Sequence, residues 1–122
     1  MLIEQYFAQL EGIINSCDNV CAKSIYKETR SEYIGFFKAE LRFQNDSSLH
    51  IREFVFARSG ILKYTYSYHH QDADNRLIFR YDNTRHFPDL PNFPHHKHTS
   101  EGIVSASEPD LQVVIAEVLD LS

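Results

Sequence analysis

The sequence holds only four glycines and only two cysteines, and each scarcity removes a class of function. So few glycines leave no room for a phosphate-cradling loop, and neither a P-loop nor a dinucleotide fingerprint occurs. Cys17 and Cys21 are too few for a disulfide scaffold, and their C-x3-C spacing matches neither a redox pair nor half of a zinc finger. They read as two free thiols near a helix end in a reducing cytosol. No apolar run approaches the roughly 20 residues that a membrane-spanning helix needs. The opening residues, MLIEQYFAQLEG, carry neither the basic region nor the apolar block of a secretion signal. A cytoplasmic protein with no membrane contact is expected. Basic residues are missing from both ends: residues 1–18 carry three acids and residues 101–122 five, with no lysine or arginine in either.

The net charge of −5 therefore hides a body, residues 19–100, with twelve Lys+Arg against nine Asp+Glu. A mildly basic body between acidic ends permits contact with a polyanion on one surface. At 122 residues, 43% hydrophobic and 24% charged, the chain has the size and composition of one folded domain, taken as residues 1–122. What it has in plenty is histidine in one place. Tyr64 to His98 contains six of the seven histidines, four of the seven tyrosines and three of the four prolines, and no glutamate. Imidazoles titrate near neutral pH, so such a cluster asks for a chemical reason.

Hydrophobic spacing outlines the scaffold. Ile3, Tyr6, Phe7, Leu10, Ile13 and Ile14 recur at helical intervals over residues 2–15. Ala22–Thr29 is compatible with an edge strand because of Lys23, Lys27 and Glu28. Strands follow at Tyr33–Phe43, Leu49–Ala57, Leu62–Gln71 and Leu77–Asp82, separated by polar turns. Residues 83–100 read as a long Pro- and His-rich loop. Ser107-Glu108-Pro109-Asp110 then opens a helix with a serine cap, with Leu111, Val114, Ile115, Val118 and Leu119 as its stripe. The expected fold is α+β: an N-terminal helix, a four- to five-stranded antiparallel meander, the loop and a C-terminal helix, with both helices on one sheet face.

Side chains alternate across a strand, so tight hairpins without bulges assign each residue a face. Tyr64, Tyr66 and Tyr68 would join Leu49, Ile51 and Val55 on the core side. Lys38, Arg42, Arg52, Lys63, His69, Arg80 and Asp82 would lie on an open, basic side suited to nucleic acid. The tyrosine row reads as core before it reads as a base-stacking platform. Glu53 is the one acid on its apolar face, either a satisfied structural carboxylate or a base of raised pKa. Asp72-Ala73-Asp74-Asn75 lacks the later glycine and glutamate of a calcium loop and reads as a turn.

The histidines suggest two chemistries. Metal-free cleavage of RNA needs a base for the 2′-hydroxyl, an acid for the leaving oxygen and cations for the pentavalent phosphate. His69, Arg80, His96, Lys97 and His98 supply all three types, with Glu53, Asp82, His86 and His95 as supporting candidates and no cofactor. Alternatively, His96 and His98 point one way in an extended loop and could ligate a metal, with His86 able to supply a third ligand, although no zinc-site pattern is present. A third reading is a non-enzymatic module whose loop docks a protein or nucleic acid.

The runs Tyr66-Ser67-Tyr68-His69-His70-Gln71-Asp72-Ala73-Asp74, Leu77-Ile78-Phe79-Arg80-Tyr81-Asp82-Asn83 and Phe93-Pro94-His95-His96-Lys97-His98 resemble the TumE family. These are small toxins of bacterial and archaeal toxin–antitoxin modules. Ile51-Arg52-Glu53 and the terminal helix fit the same layout, so the resemblance spans nearly the whole chain. Two positions depart from the family pattern: His70 stands where Trp or Tyr is common, and Phe87 stands where a second histidine often follows His86. The resemblance implies a toxin silenced by a cognate antitoxin, typically a small helix-turn-helix protein. The helix–meander layout is also similar to that of small ribosome-dependent ribonuclease toxins, an analogy of fold that points to RNA or the ribosome.

Overall fold

The computed structural model describes residues 1–120. Its elements are α1 (Ile3–Asn15), β1 (Val20–Thr29), β2 (Ile34–Phe43), β3 (Ser48–Phe56), β4 (Leu62–Gln71), β5 (Leu77–Asp82), β6 (His96–Thr99), β7 (Gly102–Ser105) and α2 (Leu111–Asp120). The seven strands pair in chain order, each antiparallel to its sequence neighbours. The helix–meander–helix layout is the one expected, with more strands. The additions are β6 and β7, built from residues read as loop and post-loop connection. The segment His96-Lys97-His98-Thr99 is polar on both faces, so no hydrophobic alternation marks it as a strand. It becomes one because β5 offers an otherwise unpaired edge. The true loop is thus residues 83–95.

Both helices cover one sheet face. α1 buries Ile3, Tyr6, Phe7, Leu10 and Ile14, and α2 buries Leu111, Val114, Ile115 and Val118. They close over Phe37, Ala39, Leu41, Leu49, Ile51, Val55, Tyr68 and Phe79, which form the core with them. Gly35 sets how closely α1 seats: a Cβ there would lie 2.7 Å from Phe7 Cζ and 2.7 Å from the Glu28 carbonyl. α2 starts later than the serine-capped motif suggested. Asp110 Oδ1 accepts from the Val113 N–H at 2.9 Å, so Asp110 caps the helix.

The register departs from simple alternation at one point that matters. β3 and β4 pair Leu49 with His70, Ile51 with Tyr68 and Glu53 with Tyr66, then shift between Phe54 and Val55 so that Val55 meets Lys63. This bulge exchanges the faces of the residues beyond it. Tyr64, expected in the core row, lies outside and is 48% exposed, stacked on Phe56 and tilted on Phe54. Lys63, expected on the open basic face, is turned into the core, 7% exposed. Lys63 is therefore not a nucleic-acid contact on the open face.

Inside, Lys63 Nζ donates to Tyr68 Oη at 2.6 Å and to the Pro109 carbonyl at 2.9 Å, and stands 3.8 Å from Glu53 Oε2. Glu53 is fully buried and accepts from Tyr6 Oη through one oxygen and from Tyr68 Oη at 2.6 Å through the other. Burial, reinforced by this carboxylate, pushes the Tyr6 and Tyr68 hydroxyls well above their ordinary pKa, so both remain donors. Of its two readings, Glu53 is the satisfied structural acid: it points into the core and away from the open face. Replacing one member of a buried, hydrogen-bonded ion pair strands the other charge. Glu53→Gln is therefore expected to lower unfolding stability by roughly 3–5 kcal/mol in urea denaturation, with Glu53→Gln/Lys63→Met recovering part of the loss.

His70 completes the core between Phe79, 5.1 Å between centroids, and Phe43, at 6.3 Å. Both ring nitrogens are buried without a hydrogen-bond partner, and burial pulls the pKa down to about 4. The fold thus holds the neutral ring, while the unfolded chain takes a proton near pH 6.5. The contribution is intact above that pH and is lost as pH falls from about 6.5 toward 4, with a slope of at most about 1.4 kcal/mol per unit. Comparing urea midpoints of wild type and His70→Phe across this window should show the acid slope reduced in the variant.

Candidate functional site

The open face gathers most of the polar candidates through two cross-strand pairs. On β5, Arg80 and Asp82 are two residues apart and share a face. On β6, His98 pairs with Arg80 and His96 with Asp82. The four side chains make a square on adjacent strands. β4 extends it, because His69 pairs with Arg80 and Ser67 with Asp82; β3 extends it again, His50 facing His69 and Arg52 facing Ser67.

Asp82 is the centre of the square. Its side chain is 4% exposed, with Arg80 Nε 2.9 Å from Oδ2 and His96 Nε2 2.8 Å from Oδ1. Oδ1 also accepts from the Thr84 N–H at 3.1 Å and the Thr84 hydroxyl at 2.9 Å, a local turn that ends β5. Asn83 holds the exit from the other side, accepting from the Tyr66 N–H at 3.0 Å and donating to the Tyr64 carbonyl at 3.0 Å. Burial works to raise the Asp82 carboxyl pKa. Hydrogen bonds from Thr84 and Arg80 outweigh it and hold the group below its ordinary value.

The histidines differ in access. His96 is buried at 1% exposure, its Nδ1 3.0 Å from the Pro94 carbonyl. His98 is 28% exposed, with Nε2 3.5 Å from Asp82 Oδ2. Phe87, from the loop, lies edge-on to both rings, 4.9 Å from His96 and 6.0 Å from His98. His69 Nδ1 is 3.4 Å from Arg80 Nη1. Burial first, and then the Arg80 charge, draw the His69 pKa below the ordinary imidazole value. Burial also leads for His98; Asp82 opposes it and Arg80 adds to it, with a net lowering.

Beyond the square runs a groove. A cavity of about 320 Å³ is lined by Lys38, Arg52, His50, His69 and Arg80 among others. It adjoins one of about 420 Å³ that shares Lys38 and Arg52 and reaches Tyr26 and Phe36. Arg42 extends the same face toward the strand end, pairing with Ser48 across β2 and β3. Three cations and two imidazoles along one channel outnumber its one acid, Glu40, a balance that suits an anionic polymer.

Besides Lys63, four of the sequence-selected residues lie elsewhere. Lys97 points to the helix face: Nζ pairs with Glu117 of α2 at 2.6 Å and sits over the Phe79 and Tyr81 rings. An odd position between two even-position histidines must take the opposite side of a strand, which a loop reading conceals. His95 also leaves the cluster, with Nδ1 2.9 Å from Tyr66 Oη and its ring stacked on that tyrosine. His86 is exposed on the loop against Phe87. Glu53 is in the core. Conversely His50, on the same face as Arg52, reaches the site with its ring 6.0 Å from that of His69. Alternation along β3 already placed it there, and only its distance from the other histidines in sequence hid it.

The family model described as Toxin TumE matches residues 10–122. No curated protein and no solved structure matches the chain. Among the described residues, no helix is long and apolar enough to cross a membrane.

Proposed function

Since the chain belongs to the TumE toxin family, we propose that it is the toxin of a prokaryotic type II toxin–antitoxin module and cleaves RNA on the open face of its sheet. The observation that carries this reading is the row His69–Arg80–His98 on three adjacent strands. A guanidinium stands between two accessible imidazoles, at the end of a groove with Lys38 and Arg52. Strand spacing puts the two histidine Cα atoms about 10 Å apart, room for one phosphodiester between the rings.

One neutral imidazole takes the proton of a ribose 2′-hydroxyl, and that oxygen attacks the adjacent phosphorus. The second, protonated imidazole gives its proton to the departing 5′-oxygen, leaving a 2′,3′-cyclic phosphate and a 5′-hydroxyl. Arg80 neutralises the charge that builds on the phosphoryl oxygens. Asp82 is a positioning residue, holding the guanidinium in place from behind, and His96 backs Asp82 beneath the surface. Lys38, Arg42 and Arg52 hold flanking phosphates. No step calls for a metal ion or cofactor. Membership of a toxin family implies an antitoxin partner, which we take to be of the helix-turn-helix type.

Induction from a tight promoter should arrest growth and produce discrete new RNA ends bearing 2′,3′-cyclic phosphate. His69→Ala and His98→Ala are each expected to slow cleavage by about 10²–10⁴-fold, and Arg80→Ala by about 10²–10³-fold, at unchanged circular dichroism. Arrest without new ends, sensitive to substitutions in loop 83–95, would instead support a non-enzymatic binding module.

Lys97 supplies the contrast. Lys97→Ala should lose the contact to Glu117 and lower the thermal midpoint, while arrest and the pattern of RNA ends persist. Loss of cleavage in a folded Lys97→Ala protein would overturn the assignment of the chemistry to the open face.

A further inference from the structure

We propose that Asp82, His96 and His98 form a binding site for a zinc-class transition-metal ion. One ligand atom from each, all within 4.8 Å of one another, converges at the buried end of the open face. Proximity alone would not distinguish this from an ordinary ion pair. The hydrogen-bond geometry of His96 adds a second observation.

Its Nδ1 faces the Pro94 carbonyl at 3.0 Å, an acceptor only, so Nδ1 carries the proton. A hydrogen bond of this kind fixes the tautomer of many metal-ligating histidines and aims the Nε2 lone pair at the ion. Here Nε2 is buried and has no hydrogen-bond partner, although Asp82 Oδ1 lies only 2.8 Å away. The oxygen sits beside the direction in which Nε2 would project a proton, and not along it. A cation ahead of both atoms would give Nε2 its missing partner, while Oδ1 already accepts from the Thr84 N–H and hydroxyl. Ligands around one ion stand in that relation. At bond lengths of about 2.1 Å, tetrahedral neighbours are about 3.4 Å apart. His96 Nε2 stands 2.8 Å from Oδ1 and His98 Nε2 3.5 Å from Oδ2, and the three ligand atoms lie within 4.8 Å of one another, so the side chains would draw in around an ion.

The donor set selects the ion. Two imidazoles and one carboxylate offer too few oxygens for calcium or magnesium, and Arg80 already occupies Oδ2 at 2.9 Å. Two imidazoles and one carboxylate with an open position suit divalent first-row transition metals such as zinc, cobalt, nickel or iron. Three protein ligands leave a fourth position for water on the side where His98 meets solvent. The sequence pairs His96 with His98 for such a site but gives no reason to choose Asp82 over His86 as the third ligand. The β5–β6 pairing supplies that reason.

An ion here would oppose the cleavage chemistry, a consequence that rests on the ribonuclease reading although the binding site does not. It takes the His98 Nε2 lone pair needed for proton transfer and crowds Arg80 with like charge. Metal availability would then act as a brake on the toxin.

The test uses untagged, full-length protein stripped by a chelator and titrated with cobalt(II) alone, followed by zinc(II) competition. One equivalent of cobalt should develop visible d–d absorption, displaced by zinc. His98→Ala, at a partly exposed position, should weaken binding by about 100-fold with the fold intact. Asp82→Asn should do the same, and His86→Ala should change nothing. Absence of a saturable equivalent, or equal affinity in His98→Ala, overturns the site. In parallel, stripped protein should cleave RNA and one equivalent of zinc should suppress it; zinc-stimulated cleavage overturns the brake. Stripped protein that binds cobalt as expected yet cleaves no RNA with or without zinc would sink the ribonuclease reading and leave the metal site standing.

Discussion

A buried carboxylate holds this fold in one arrangement. Glu53 lies at the centre of the sheet under both helices, where an isolated charge would be prohibitively costly. It is tolerated because α1 sends Tyr6, β4 sends Tyr68, and Lys63 arrives from the start of β4. Lys63 in turn anchors the entry to α2 through the Pro109 carbonyl. Both helices, and the two central strands between them, are thereby tied to one polar point in an otherwise apolar core. Such a network contributes little net stability compared with apolar packing, but a shifted register would leave charges unpaired. That constraint selects the arrangement which also presents His69 and Ser67 outward.

The β3–β4 bulge makes the network possible. Without it Lys63 would stand on the open face and Glu53 would face tyrosines alone. With it, one lysine is removed from the basic surface and an aromatic cluster of Phe54, Phe56 and Tyr64 takes its place at the far end of the groove. The face that remains divides into two zones. Lys38 and Arg52 line the channel, and a tightly bonded group around Asp82 lies at its end. Asp82 does there what Glu53 does in the core. It is a nearly buried acid whose partners are fixed by strand pairing, so Arg80 and the histidines are held by backbone geometry and not by loop conformation.

Much of this was legible from residue order. Period-two and period-3.6 spacing marked both helices and five of the seven strands, and alternation correctly assigned Lys38, Arg52, His69, Arg80 and Asp82 to one face. Face assignment failed at Lys63 and Tyr64, because a bulge is a backbone event that local composition does not announce. Strand assignment failed at β6, because a segment polar on both sides has no hydrophobic period to read. That one miss carried others with it. As a loop, residues 95–98 look like a single cluster; as a strand, they send His96 and His98 to one face and His95 and Lys97 to the other.

The sequence by itself determined the layer order, the helix stripes, the family and the concentration of imidazoles near the groove, since each depends on residue type and short-range spacing. The tertiary structure alone decided which of those imidazoles meet. Cross-strand register lines up residues far apart in sequence, as with His50 and His98, 48 positions apart on one row. Such register reflects the balance of core packing, buried charge and edge pairing over the entire sheet, a balance that no local window contains.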